Sequence, residues 1–332
     1  MNGHLMPNRT PYALAALSLC MAVAGQDITI AYPGEGARLP GITNVYCIGA
    51  VPTNESHVLS INGVTTDVYR TGAFLAMVPV HAGSNTITAV WGDATLVRTV
   101  KVDPVVPQIV KAALSAGGDA VKPSTHDPYK DLGIPTNAVF AASPPYGKKP
   151  WDLYIMVDPG HGGNDTGALS PHGWCEKDVN LLQARAIRDE LRRAGFKVVM
   201  TRDDDSFPPL YSRPKDAWRL KVDAFISVHH NATAANTNPR RVRHTTTYAS
   251  NEKGLALAKA LQNRIGGELR PLRDCGAQMK SLAVCRNPAV PSCLLEVDFI
   301  NLPEGEEESW NPERHKRVAK AVVDGLLDWM TE

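Results

Sequence analysis

The chain has 332 residues, 43% of them apolar and 21% charged, a length that favours two folding units and a composition that excludes wholesale disorder. Its 35 Lys and Arg against 34 Asp and Glu leave a formal charge of +1. No global field therefore draws it to nucleic acid or to an anionic membrane, and neither is expected as a partner.

Residues 1–25 read as an export signal. Arg9 precedes an apolar run from Tyr12 to Ala24 that is too short to span a bilayer, and Ala22, Val23 and Ala24 form an A-x-A cleavage triplet. Cys20 offers lipid attachment as the alternative, but Leu19 stands before it where a small residue is expected. No later stretch is a transmembrane segment, so a soluble exported protein is expected, periplasmic, envelope-associated or secreted. Cleavage after Ala24 leaves Cys47, Cys175, Cys275, Cys285 and Cys293, an odd number with no C-x-x-C pair. A bridge from Cys275 to Cys285 or Cys293 and a set of free buried thiols both remain open.

Residues 27–104 carry short β-branched runs (ITIAYP, VYCIGAV, HVLSING, FLAMVPV, NTITAVW, LVRTVKV) separated by Gly, Asn and Pro. This spacing predicts a small all-β sandwich. Gly72 before Phe74, with Gly83 and Asn85 before Ile87, gives the segment a loose resemblance to the bacterial immunoglobulin-like modules found on exported enzymes. It holds no cluster of acids, His or Cys, so a spacer or adhesion role is expected. Residues 105–150 are rich in Pro, Ala, Gly and Ser and read as a linker, with one short helix near residues 108–116.

The remainder, 151–332, alternates compact apolar strands with helical periodicity. LYIMV, FKVVM, AFISV and CLLEV are the strands; Val179 to Ile187, Leu255 to Leu269 and Val318 to Trp329 carry the helical spacing, with Gly195 as a stop signal. The prediction is an α/β unit with a mostly parallel sheet, flanking helices and sites at the carboxyl ends of strands.

Three runs carry chemistry here: DPGHGG (158–163), GWCEKDVN (173–180) and FISVHHNA (225–232). They place His161, Glu176 and His229 where extended segments are expected to end. Two imidazoles and a carboxylate are ligands that zinc accepts, and three protein ligands leave a position for water, as in a catalytic site. The set suits Zn2+ better than magnesium or calcium. Glu296, in CLLEVDF, stands in an apolar strand where an unpaired charge is costly, which argues for a functional role.

Taken together, DPGHGG, EKDVNL (176–181), Thr201 and Arg202 followed by Asp205, Leu210 and Arg213, then FISVHHNA and LLEVDFI (294–300) resemble the zinc-dependent N-acetylmuramoyl-L-alanine amidases that cut bacterial peptidoglycan, from about residue 153 to 330. The resemblance implies zinc on His161, Glu176 and His229, and Glu296 as general base and acid toward a zinc-bound water. It implies cleavage between N-acetylmuramic acid and L-alanine in peptidoglycan or its muropeptide fragments. A zinc peptidase acting within the stem peptide and a non-catalytic wall-binding protein are the alternatives.

His230 departs from the family pattern, which has a small residue there, and reads as a surface or supporting His more than a substrate contact. Asp158 either orients the His161 loop or caps its backbone, Asn231 closes a turn, and Arg202 and Arg213 look structural. NPRRVRHTTTYAS (238–250) replaces the family's Gly-rich passage into a strand, and Arg240, Arg241 and Arg243 read as a solvated basic loop. Nothing in the sequence fixes the oligomeric state.

Overall fold

A computed structural model describes residues 28–54, 56–104 and 147–331. The expected export signal with Cys20, nearly all of the linker and its short helix lie outside the described residues. Among the described residues no helix is long and apolar enough to cross a membrane.

Residues 29–102 form eight strands in two sheets. The antiparallel first sheet has the order β1 (Thr29–Tyr32), β3 (Asn44–Ala50), β6 (Ala73–Pro79). The second runs β2 (Arg38–Leu39), β8 (Ala94–Val102), β7 (Gly83–Trp91), β4 (Leu59–Ile61), β5 (Val64–Thr66). Val45, Cys47, Phe74, Ile87, Ala89 and Val100 pack between the sheets with almost no exposure. All six apolar runs read from the sequence carry strands; β2 and β5, two and three residues long, were too short to register. β4 and β5 are joined by Asn62 and Gly63, both at positive φ (49° and 78°), the conformation that a two-residue hairpin turn demands.

From Tyr154 onward a six-stranded sheet is built in the order β10 (Lys197–Met200), β9 (Tyr154–Pro159), β11 (Ala224–Asn231), β14 (Ser292–Phe299), β12 (Thr245–Ala249), β13 (Asp274–Met279). Every neighbouring pair is parallel except β12 with β14. The sheet is thus mixed but mostly parallel.

The helices are α1 (Glu176–Arg193), α2 (Ser212–Arg219), α3 (Pro239–Val242), α4 (Glu252–Glu268), α5 (Pro303–Ser309) and α6 (Pro312–Trp329). Asn251 caps α4 by accepting from Gly254 N, and Asn311 caps α6 with Pro312 at its first position, the usual solutions to orphan amides at a helix start. Ile187, Leu191, Leu257, Leu261, Val322 and Leu326 from α1, α4 and α6 fill one face of the sheet. The other face is covered more thinly, by Ala217 of α2 and by Val284 and Cys285 above Met156, Phe225 and Leu294. That thin face carries the site. Cys275, Cys285 and Cys293 form no disulfide with one another.

The two halves touch through Tyr46, Ile48 and Leu75 on one side and Phe299 and Leu302 on the other. Tyr46 N donates to Ala235 O at 2.9 Å, and Tyr69 Oη and Arg70 Nη2 converge on Glu307 Oε2 at 2.9 and 2.6 Å. His172 sets Nδ1 2.7 Å from Glu306 Oε2 and Nε2 3.1 Å from Thr71 O. Both ring nitrogens face acceptors, and the hydrogen bond to Glu306 raises the ring's pKa.

Arg240 and Arg241 are exposed, as a solvated basic loop requires, but Arg243 departs from that reading. Its guanidinium is bidentate on fully buried Asp298 at 2.8 and 2.7 Å, and Arg314 adds a third bond at 2.8 Å. Arg240, more exposed, stands 3.4 Å from Glu304. Burial opposes charge on Asp298, but its hydrogen bond and proximity to Arg243 and Arg314 hold the carboxyl below its usual range.

Because the folded carboxyl is more acidic than the unfolded one, this triad contributes its full stability above about pH 4 and loses it as pH falls through the depressed folded value. Replacing Asp298 with Ala strands two guanidinium groups and should cost on the order of 3–5 kcal/mol in chemical denaturation. The opposite sign holds for His172. Its contribution is complete below about pH 6.5 and fades as pH rises through the raised value, so His172→Ala should cost roughly 1–2 kcal/mol at pH 5.5 and measurably less at pH 9.

Candidate metal centre

His161 stands two residues past the end of β9, at φ 61°, a conformation that a residue with a side chain keeps only when its surroundings impose it. Arg213 imposes it here, donating to Asp158 Oδ1 (2.8 Å), Pro159 O (2.8 Å) and His161 O (2.7 Å). Asp158, fully buried, also accepts from Thr201 Oγ1 at 2.5 Å and Ser227 Oγ at 2.6 Å. Arg202 binds Pro159 O, Gly160 O and Lys177 O at 2.8–3.0 Å. Asp158 and both arginines therefore hold the loop backbone rather than the imidazole.

Glu176 is the first residue of α1 and not the end of a strand, as the sequence reading had it. His229 lies within β11. The structure brings the three together: one ligand atom from each of His161, Glu176 and His229 lies within 4.8 Å of the others. Glu176 Oε1 is 3.2 Å from His161 Nε2 and 3.0 Å from His229 Nδ1. Burial would raise the Glu176 pKa, yet hydrogen bonds from the two imidazoles hold it well below its ordinary value. Burial likewise opposes charge on His161, but Glu176 and Asp165 lift its pKa to about 9. A buried carboxylate held well below its ordinary pKa between two imidazoles is a place made for positive charge. The donor set fits a zinc ion.

The packing around these side chains leaves no room for a methyl group. A Cβ on Gly160 would overlap the His229 ring, and one on Gly167 would stand 2.6 Å from Glu176 Oε2 and 2.7 Å from His161 Cδ2. Behind Glu176, Asn180 Nδ2 donates to Oε1 at 3.1 Å, and Asn180 Oδ1 accepts from His230 Nδ1 at 2.9 Å. His230 is thus neither a surface residue nor exposed toward substrate. It is 2% exposed, and burial with Arg314 nearby pushes its pKa down to about 3. Asn231 Oδ1 accepts from the next backbone amide, Ala232 N, at 2.8 Å, in keeping with a turn. Asn180 was legible in principle, since a residue four positions along a helix shares the face of Glu176. Gly167 was not, because its constraint comes from across the site.

Glu296 faces His229 in the register of β14 with β11. Its Oε2 is buried with no hydrogen-bond partner. Desolvation, with the nearby Glu176 charge, raises its pKa to about 7, a value suited to both taking and giving a proton near neutrality.

A family model described as N-acetylmuramoyl-L-alanine amidase matches residues 155–328, just over half the chain. The chain belongs to this family. An amidase relative named "Probable cell wall amidase LytH", from Staphylococcus epidermidis, is 32% identical over 207 residues, covering 61% of this chain and 65% of that protein. The chain thus spans just under two thirds of that relative's length. Among solved amidases, AmiC2 of Nostoc punctiforme superposes with a TM-score of 0.50 at 31% identity, covering 54% of this chain and 97% of the other. The enzyme from Clostridium difficile gives 0.51 at 28% identity, covering 54% and 96%. The α/β half has the fold of these amidases.

Gly160→Ala must displace either the His229 ring or the loop that carries His161. Its zinc affinity, read by competition with a chromogenic chelator, should fall on the order of 10- to 100-fold, the range seen when the support of a ligand is disturbed.

Proposed function

We propose that this chain is an exported zinc amidase that hydrolyses the bond between N-acetylmuramic acid and the L-alanine of the stem peptide, in peptidoglycan or its fragments. The observation that carries this reading is the position of Glu296, beside the His161, Glu176 and His229 cluster with a buried, unpartnered carboxylate oxygen. Family membership selects the amide.

His161, Glu176 and His229 would hold the zinc. When bound, the metal supplies a Lewis acid that polarises the scissile carbonyl and acidifies water. Glu296 takes the proton from the attacking water and returns it to the departing amine, a role its raised pKa favours. Asn180 and the backbone N–H groups of Ala168 and His230 fix the carboxylate of Glu176, at 3.1, 3.0 and 3.2 Å. Arg213 and Asp158 fix the loop of His161. The products are a peptide with a free amino terminus and a glycan that has lost its peptide.

In this reading residues 1–25 are the export signal, 27–104 an immunoglobulin-like β-sandwich that positions the enzyme at the envelope, 105–150 a linker and 151–332 the catalytic unit.

The test is mass analysis of products released from purified disaccharide-peptide and from intact wall. Zinc-loaded enzyme should release stem peptides that begin at L-alanine. Glu296→Gln should retain zinc at the parental stoichiometry while turnover falls by about 10²–10⁴, the usual worth of a general acid–base group. Fragments cut inside the stem would move the assignment to a peptidase. Binding without any cleavage would make the protein a wall-binding module.

A further inference from the structure

Beyond Glu296 the catalytic face continues onto β12 and β13. Thr246 stands opposite Glu296, and Tyr248 opposite Leu294. Alternate residues of a strand share a face, so Glu296 and Tyr248 project to the same side as a diagonal pair roughly 7–8 Å apart.

Lys280, the residue after β13, sets its Nζ 4.5 Å from the centroid of the Tyr248 ring. Its backbone is pinned on both sides, with N donating to Ala249 O at 2.8 Å and O accepting from Ser250 Oγ at 2.8 Å. The ammonium lies over the ring at an exposed position. Among the described residues Lys148, Lys177, Lys316 and Lys320 have carboxylate partners; Lys280 is given a ring instead.

The flank beyond His161 differs. There Phe207, Leu210 and Tyr211 are 48%, 48% and 46% exposed, and Phe207 lies under the Arg213 guanidinium at 6.0 Å. On this flank Lys177 and Arg213 are committed to Asp205 and Asp158, and Arg202 to backbone carbonyls. Across the sheet the order is thus an apolar flank, the His cluster, Glu296, and then a cation on an aromatic ring.

This order gives the cleft a direction. Glu296 can return a proton to the departing amine only if that nitrogen lies against it. The chain attached to the nitrogen then runs away from the His cluster, over β12. We infer that Lys280, seated on Tyr248, receives a carboxylate of the departing peptide and so sets both the direction in which substrate lies and a preference for an anionic stem. The inference rests on the amidase reading above, and it makes Lys280 a specificity-determining residue rather than a catalytic one.

The test uses the full-length zinc-loaded chain and two matched muramoyl peptides that differ only in whether the carboxylate of the second stem residue is free or amidated. The parental enzyme should favour the free carboxylate by about 5-fold in kcat/KM, the scale of a partly exposed ion pair, with the difference in KM. Lys280→Met should erase the preference, Lys280→Glu should reverse it, and Lys280→Arg should keep it. A parental enzyme indifferent to the two peptides, or a Lys280→Met variant that still prefers the free one, overturns the inference. Equilibrium binding of both peptides to Glu296→Gln separates the two readings. If neither peptide is cut but binding still depends on Lys280 and on the free carboxylate, the carboxylate site stands and the amidase assignment falls. If the peptides neither bind nor react, both fall.

Discussion

The buried carboxylate of Asp158 is the contact on which the site depends. One side chain ties together the end of β9, the middle of β11 through Ser227, the segment after β10 through Thr201, and α2 through Arg213. Arg213 then spends its remaining donors on the carbonyls of Pro159, His161 and Pro208. An ion pair this deep is weak evidence for net stability, because desolvation offsets much of the attraction. Its value here is geometric. It holds a histidine at positive φ and aims it at Glu176 from a loop that its own sequence would not fix.

Charge balance repeats this arrangement on a larger scale. Glu176 lies between two imidazoles, Asp298 is met by two arginines, and Glu306 by His172. Glu296 stands outside the pattern, buried with one oxygen unanswered. Where its neighbours have partners, the unpartnered carboxylate is the one left able to exchange a proton. Close packing sharpens the contrast, since Gly160 and Gly167 let the backbone approach the ligands so tightly that side-chain bulk is excluded from both positions.

Much of this was legible in the sequence. Long apolar strands such as AFISV and CLLEV and the helical spacing from Val179 to Ile187 mark elements whose burial is decided locally by period. His229 and Glu296 stood out as polar residues closing apolar runs, and His161 and Glu176 through the runs DPGHGG and GWCEKDVN. The misses share a cause. β12 begins with three threonines and β13 reads DCGAQM, so neither shows an apolar alternation, and their pairing is fixed by β14 and α4. Arg243 looked solvated among other arginines because its partner, Asp298, is 55 residues away. His230 was read as a surface or supporting residue, and the supporting half of that reading holds, because alternation along a strand sends it to the opposite face from His229, where only the fold reveals Asn180.

The contact between the two halves is built on the stretch that leaves β14, the strand of Glu296, for α5. Phe299 and Leu302 are covered there by Tyr46, Ile48 and Leu75, and Glu306 and Glu307 are met by His172, Tyr69 and Arg70. Dissection of the chain at the linker would therefore not yield two indifferent fragments. The carboxyl-terminal piece alone would lose the cover that Tyr46, Ile48 and Leu75 give Phe299 and Leu302, three and six residues beyond Glu296, and an uncovered apolar patch is the kind of surface that drives self-association.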